Sequence, residues 1–438
     1  MEHVSDEQVL RRWLWGFVLG LAAIVLTILA AGVRRALFFA VLVPVGLAPF
    51  AYARLRLFRQ FAAALSRRGS RQLLGAGIAC DVIMAAQLLT ARSPAAPFLG
   101  GPVIGWIGPV WFSAHALALL GFGALAVTRL PWRLLAPRRA PRVAPAAASA
   151  DGIGRRELLR HAGVFGAAAP FALSLTGVPL SYDFRADERE IELPAWPREL
   201  DGLRVVHLSD IHVGGAMDAA RLARVVELAN GAQPDLVLHT GDFLTHRSGD
   251  FDAPLYEALA RIVAPLGQYA CLGNHDFDDP ERLVERLRGA GVSTLRNALV
   301  TLSVRGQPLE IGGLDFLPGH VAQDMAPARM QTWPARSAVP RVLLNHDPSA
   351  FAHLPEACAD LVLSGHTHGG HIGIQLGRDR AITLVGLAGI PDQGVFTRGR
   401  MRMFVTRCVG FYGYPMRVGI PPEIAVIVLR SAPRDSAV

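Results

Sequence analysis

Leu203 to Gly215 reads LRVVHLSDIHVGG, an apolar run that stops abruptly at a polar tip. Leu203, Val205, Val206 and Leu208 read as a buried strand, because β-branched and long aliphatic residues suit a sheet covered on both faces. Asp210 and His212 follow two residues apart, and in extended chain such positions point the same way. A carboxylate and an imidazole are therefore expected to face one point in space. A single Asp-x-His arises by chance in many chains. Its weight here comes from four downstream segments that repeat the device.

Outward from that stretch, strand and helix patterns alternate. The spacing of Leu222, Val225, Val226 and Ala229 predicts an amphipathic helix over 218–230. A strand over 235–240 leads into HTGDFLTH, with Asp242 just past its tip, and a strand over 268–272 ends in GNHDFDD. Helices are expected near 254–263 and 280–288, and β-rich runs near 298–304 and 309–314. A strand over 341–344 ends in NHDPS and another over 361–364 in GHTHGGHIG, with final strands at 403–407 and 423–429. Open α/β sheets present their sites in this way, with chemistry at strand ends.

The five tips offer Asp210, His212, Asp242, Asn274, His275, His346, His366 and His368. Oxygen donors mixed with imidazoles suit Zn, Fe or Mn better than Ca or Mg. The set is too large for one ion with an open position and about right for two, and Asp242 is the natural bridging carboxylate. A metal pair lowers the pKa of a shared water and clamps both oxygens of a phosphoryl displacement. Gly241, Gly273, Gly365, Gly369 and Gly370 allow sharp turns beside such ions. His207, His239, His246 and His320 read as ordinary core or surface histidines, and His371 stays open between the two kinds. Taken alone, His346 would read as a helix-capping neighbour; Asp278 and Asp279 before Pro280 read as a helix start.

The ordered set D-x-H, G-D, G-N-H-D, a lone H and G-H-x-H, at Asp210/His212, Gly241/Asp242, Gly273/Asn274/His275/Asp276, His346 and Gly365/His366/His368, resembles the calcineurin-like metallophosphoesterase superfamily. The likeness covers about residues 200–430 and implies a four-layer α/β/β/α sandwich with a dinuclear site. By position, it implies one metal on Asp210, His212 and His368, another on Asn274, His346 and His366, and Asp242 bridging. A bridging hydroxide would attack phosphorus in line. His275 would protonate or stabilise the leaving oxygen, oriented by Asp276. LSDIH, GHTHGG and the C-terminal PEIAVIVL look closer still to a bacterial membrane-associated branch. Members of that branch carry N-terminal spans or twin-arginine signals, and some act on envelope phospho-compounds such as UDP-diacylglucosamine. They often have Gln after GHTHGG, where this chain has His371.

The N-terminal part is of another kind. Residues 1–180 hold 19 Arg against 6 acidic residues, net +13, whereas 181–438 hold 25 against 30, net −5; all 44 basic residues are Arg. The positive charge flanks apolar runs, so it marks membrane loops and no nucleic-acid partner is expected. Those runs are 13–33, 36–53, 73–90 and 103–128. The first has 21 residues, enough to cross a bilayer core of about 30 Å at about 1.5 Å per residue. Six Arg over 54–71 and eight over 129–160 keep those loops and the N-terminus cytoplasmic, outvoting Arg34 and Arg35 in the tight first loop. Asp81 and His115 read as satisfied interior residues, or else as the working groups of a transport or lipid-handling bundle.

The expected organisation is then a four-span region over 1–130 and an Arg/Pro/Ala-rich linker over 131–160. Arg155, Arg156, Leu158 and Leu159 resemble a twin-arginine export motif ahead of 161–178, which reads as a fifth span or a retained signal anchor. Either reading sends 181–430 across the membrane, followed by a disordered tail, 431–438. The four cysteines have no CxxC spacing and fit neither a disulfide framework nor a zinc ribbon; they read as core.

The fold class expected is thus an α-helical membrane bundle plus an α/β metallophosphoesterase domain outside the cytoplasmic membrane. Its substrates would be phosphodiesters or pyrophosphates, lipid-linked ones among them, with membrane lipids around it and two divalent ions (Mn, Zn or Fe) in the site. A phosphomonoesterase for soluble substrates and a catalytically silent sensor of phospho-ligands are the alternatives. An intact ligand set with His275 argues against the silent one.

Overall fold

The computed structural model describes residues 52–62, 65–90, 104–135, 155–214, 217–245, 252–331, 333, 339–411 and 416–432. Internal contacts divide the chain into two units, 1–82 with 111–171, and 83–110 with 172–438.

The described residues of the first unit are almost all helical. The expected runs 13–33 and most of 36–53 lie outside the described residues, as do 136–154 of the linker. The third and fourth runs fall in the helices Arg67–Thr90 and Ile104–Leu135. Among the described helices, His161–Leu180 alone is long and apolar enough to cross a membrane; Ile107–Phe122 is a shorter apolar stretch. A four-span bundle is therefore an expectation that these helices do not establish. Arg54, expected in a cytoplasmic loop, is instead buried and ion-paired with Asp81. Asp81 also accepts the Trp111 indole N–H at 2.7 Å, and the His115 ring lies tilted against Trp111 with ring centroids 4.6 Å apart.

The second unit is built on two six-stranded sheets. In chain order the strands are β1 Arg185–Leu193, β2 Leu203–Leu208, β3 Leu236–His239, β4 Gln268–Ala270, β5 Val292–Thr294, β6 Ala298–Val304 and β7 Gln307–Gly313. They continue with β8 Arg341–Leu344, β9 Leu361–Ser364, β10 Gly373–Gln375, β11 Ala381–Thr383, β12 Gly394–Arg398, β13 Met401–Val405 and β14 Glu423–Ser431. One sheet runs β1-β14-β2-β3-β4-β5 and the other β12-β13-β9-β8-β7-β6, while β10 and β11 form a hairpin apart from both.

Strand alternation decides which side chains meet. Val205, Leu236, Leu238 and Ile427 of one sheet share a buried cluster with Ile311, Val342, Leu361 and Leu363 of the other, so the two sheets pack face to face. Val206, Val237 and Val426 point the opposite way, onto Leu222 and Val225 of the helix Ala219–Gly231 and Leu283 and Leu287 of Pro280–Gly289. On the far side Leu343, Val362 and Met403 meet Ala322 and Ala326 of the helix Gly319–Arg329 and Phe351 beyond β8. The layers are thus α, β, β, α, around apolar runs that are buried on both faces.

Several elements differ from expectation. The strand placed at 403–407 runs Met401–Val405, and β1, β5, the β10–β11 hairpin, β12 and the helix Gly319–Arg329 have no counterpart in the sequence reading. β1 hides because Glu188, Glu190 and Glu192 alternate with buried residues along an edge strand. One of those buried residues is Arg189, whose guanidinium pairs with the buried Glu423 at 2.9 Å; Arg407 pairs with the same oxygen at 2.9 Å. The tail 433–438 lies outside the described residues.

Candidate metal centre

Each predicted ligand sits where a strand gives way to a loop, and the loops bring them together. Past β2, Asp210 and His212 adopt φ of 54° and 51°. Their convergence therefore comes from left-handed turns and not from the two-residue alternation of extended chain, which corrects the sequence expectation. Asp242, His366 and His368 share this conformation at 54°, 69° and 51°. Non-glycine residues rarely adopt it, and it persists only where the surroundings fix it. Here Asp210 N–H donates to Gly241 O at 2.9 Å, His212 N–H to Asp242 O at 3.0 Å, and Gly410 N–H to Asp210 O at 2.9 Å.

Asp242 is the centre of the cluster. Its Oδ2 lies 3.5 Å from His212 Nε2 and 3.5 Å from His346 Nε2. Beyond His212 lie Asp210 Oδ1, 3.8 Å from its Nε2, and His368, whose Nε2 is 3.3 Å from that same oxygen. Beyond His346 lie Asn274 Oδ1 and His366 Nδ1, each 3.0 Å from its Nε2. The seven predicted ligands are brought to one place as two groups that share Asp242.

The surroundings turn particular lone pairs inward. His346 Nδ1 is 2.6 Å from Thr240 O and His368 Nδ1 is 3.2 Å from Gly410 O. A ring N–H donated to a carbonyl leaves Nε2 facing the cluster, the tautomer a metal ligand needs. Asp210 Oδ2 accepts from Ser209 Oγ at 2.5 Å, His366 N–H at 2.9 Å and Cys408 Sγ at 3.1 Å. Its other oxygen, Oδ1, is buried without a hydrogen bond among the described residues. Buried carboxylate oxygens need a cationic partner. The donor set therefore fits divalent cations.

The electrostatics agree. Burial would raise the Asp210 carboxyl, but His368 and His346 outweigh it and hold it well below the usual range. Against the same burial, His346 likewise keeps the Asp242 carboxyl lowered. Burial would lower His346, yet Asp242 and Asp210 push it up to about 10. Burial and the neighbouring His368 bring His212 down to about 3. Without metal, the His346 imidazolium faces two carboxylates, and the charge left over is one that divalent cations would neutralise.

Glycine is required at two contacts. A Cβ on Gly273 would lie 2.2 Å from Asp242 Oδ1, and one on Gly365 would lie 2.3 Å from Asp210 Oδ2. Both loops approach a carboxylate with backbone alone.

His275 is half-buried beside the cluster, its ring 5.2 Å from that of His212, and its backbone N–H donates to Asp242 Oδ1 at 2.8 Å. Asp276 is buried and accepts the N–H groups of Asp242, Gly273 and Phe243 at 2.7, 2.9 and 3.0 Å. It clamps the backbone of two ligand loops. Burial, then the Asp242 charge, pushes its carboxyl up to about 7.

The roles of Cys408 and Arg417 escaped the sequence reading, and that of His371 was left open there. Cys408, taken there as core, presses its thiol on Asp210. His371 stacks on His368 at 4.7 Å. Arg417 is fully buried and donates to the carbonyls of His368 at 2.9 Å, Gly410 at 2.6 Å and Cys408 at 3.4 Å. A lone Cys and a lone Arg carry no pattern that could have revealed them. His207 and His239 are buried in the first sheet, His320 is exposed, and His246 lies outside the described residues.

Residues 203–370 match the family model for calcineurin-like phosphoesterases. The chain carries a calcineurin-like metallophosphoesterase domain. It is accordingly a hydrolase. It is 29% identical over 296 residues to the uncharacterized metallophosphoesterase YkuE of Bacillus subtilis, covering 64% of this chain and 98% of that one. It is 33% identical over 260 residues to a transmembrane protein with metallophosphoesterase domain of Danio rerio, of which it spans 56%, using 56% of its own length. With the UDP-2,3-diacylglucosamine pyrophosphatase LpxG of Chlamydia trachomatis it shares 26% over 292 residues, 54% of this chain and 86% of that one. Two relatives, from Danio rerio and Bos taurus, are named as transmembrane proteins, and among the described helices of this chain His161–Leu180 is long and apolar enough to cross a membrane.

Proposed function

We propose that this protein is a membrane-anchored phosphoesterase with two divalent metals, hydrolysing phosphodiester or pyrophosphate bonds of cell-envelope compounds, lipid-linked ones among them. One observation carries the reading: Asp242 Oδ2 stands 3.5 Å from an imidazole of each of two ligand groups. Asp210, His212 and His368 would hold one ion and Asn274, His346 and His366 the other, with Asp242 between them. Mn, Zn or Fe bound there supply Lewis acidity and a water of lowered pKa. The chain's own residues do the rest. His275, at the rim, reaches the leaving oxygen and carries a proton to it. Asp276 keeps the His275 loop against Asp242 through the backbone. Hydrogen bonds from Ser209, His366 and Cys408 direct the Asp210 charge inward through Oδ1.

The names of LpxG, a pyrophosphatase, and of a phosphodiesterase relative, YaeI of Escherichia coli, support diester or pyrophosphate substrates over monoesters. Anchoring is read from the 155–180 segment. Its arginine pair and apolar run serve as a twin-arginine-type signal or as a last span, and both put the domain outside the cytoplasmic membrane. The four-span region over 1–130 and a multi-pass topology belong to the same proposal.

The test uses the full chain in detergent, loaded with Mn, on bis-p-nitrophenyl phosphate and p-nitrophenyl phosphate. Diester turnover that falls at least 100-fold in His275→Ala supports the reading. Preferred monoester turnover would replace it with a phosphomonoesterase. Two bound metals with no hydrolysis of either ester, or of a lipid-linked pyrophosphate, would favour a silent phospho-ligand sensor.

A further inference from the structure

Between the GHTHGG loop and β12, residues 373–393 leave both sheets. β10 and β11 pair only with each other, placing Ile374 opposite Ile382. Cross-strand partners share a face, and Leu376 follows Ile374 on that face two residues on. Ile374, Ile382 and Leu376 are 64%, 48% and 62% exposed. The turn that follows adds Leu384, Leu387 and Ile390 at 50%, 74% and 42%. Ile382, Leu387 and Ile390 border one open cleft of about 490 Å³. Isolated exposed aliphatics are ordinary; six on one short excursion mark a surface that something covers.

The base of this excursion is fixed on two sides. Toward the metal cluster, Thr367 Oγ1 donates to Asp392 O at 2.7 Å, and a Cβ on Gly370 would lie 2.7 Å from Thr383 Cβ. Toward the anchor, Gly373 N–H donates to Val418 O at 2.9 Å, and Arg417 N–H donates to Gly177 O at 3.0 Å. Gly177 lies in the last turn of the apolar helix His161–Leu180. Two consecutive residues, Arg417 and Val418, therefore tie the hairpin to the end of that helix.

We propose that the face of Ile374, Leu376, Ile382, Leu384 and Leu387 inserts into the bilayer leaflet at which the helix His161–Leu180 ends, holding the metal cluster against the membrane. The proposal rests on the reading of that helix as a membrane anchor. Lipid is the occupant because the face is joined to the end of the one candidate span among the described residues. Exposed Arg380 at the hairpin turn suits phosphate headgroups, because an arginine stem can lie along apolar surface while its charge reaches the headgroup layer. Aliphatic side chains beside basic ones are what an interfacial element needs. A substrate whose phosphate sits at the headgroup level would then meet the cluster without leaving the bilayer.

The test places single cysteines in the full chain at Leu387, at Leu175 in the helix, and at Glu356, exposed beyond β8. Each carries an environment-sensitive fluorophore, with the unsubstituted chain as labelling background. The proteins are reconstituted in phosphatidylethanolamine/phosphatidylglycerol vesicles containing lipids brominated on the acyl chain. At least threefold stronger quenching at Leu387→Cys than at Glu356→Cys is expected. Equal quenching at these two positions overturns the proposal, as does self-quenching at Leu387→Cys that persists in detergent, which would mean a second copy covers the face. The Leu175→Cys label reads the anchor separately: if it is unquenched while Leu387→Cys is quenched, the anchor fails and the lipid-facing hairpin stands. Because all three positions are exposed, the variants fold. With the label moved to Leu376→Cys, itself 62% exposed on the same face, Leu387→Asp leaves bis-p-nitrophenyl phosphate hydrolysis within twofold while lowering the Leu376→Cys quenching at least twofold.

Discussion

Asp276 Oδ2 accepts the backbone N–H of Asp242 at 2.7 Å across 34 residues of chain, and so couples the proposed bridging ligand to the loop that carries His275. The same carboxylate takes the N–H groups of Gly273 and Phe243. Its partners are thus all backbone donors that nothing else replaces.

Asp276→Ala should therefore cost stability before it costs chemistry. Leaving three buried N–H groups without an acceptor destabilises by about 3 kcal/mol or more. Urea unfolding of the metal-free chain measures this. An unchanged midpoint would show that the clamp is not structural.

Gly365→Ala tests the close approach on the other side. A Cβ there would lie 2.0 Å from Ser209 Oγ and 2.3 Å from Asp210 Oδ2, so the loop carrying His366 and His368 must back away. Bound Mn should fall from two ions per chain to one or none, by elemental analysis, with diester hydrolysis down at least 100-fold.

Arg417→Met removes the buried donor to the His368 carbonyl while keeping most of the side-chain volume. Loss of about 3 kcal/mol is expected from the stranded carbonyls. Arg417→Lys should not restore it, since one ammonium cannot match a planar fork reaching three carbonyls. Thermal unfolding of the three proteins side by side decides this.

Legibility followed burial. β2, β3, β8 and β9 are covered on both faces, so their residues are mostly apolar and the polar tip after each stands out. That contrast made Asp210, Asp242, His346 and His366 readable. The left-handed φ of Asp210 and His212 was not, because a backbone turn enforced by partners such as Gly241 O and Gly410 N–H leaves no mark on side-chain pattern. β1 carries charges on alternate residues and hides an ion-paired Arg189, so it reads as surface. The three-residue strands of the hairpin are too short to show a period.

Two histidines outside the ligand set give stability a pH dependence. Burial pushes His207 down to about 3 and His239 to about 4, far below the ordinary 6.5. Between about pH 6.5 and 4 the unfolded chain binds protons at these sites that the native chain refuses, so stability falls as pH falls. Each contributes a slope of about 1.4 kcal/mol per pH unit in that window and none above it. Urea unfolding at pH 5 and 6 in chelator should give a slope smaller by one proton for His239→Gln. An unaltered slope would mean that His239 is protonated in the native state.

The central claim is that Asp242 joins two metal ions. Electron paramagnetic resonance of the full chain titrated with Mn addresses it most directly. The account predicts two Mn per chain with an exchange-coupled signal, and in Asp242→Ala loss of the coupling together with diester hydrolysis. Saturation at a single uncoupled Mn in the unsubstituted chain would contradict it.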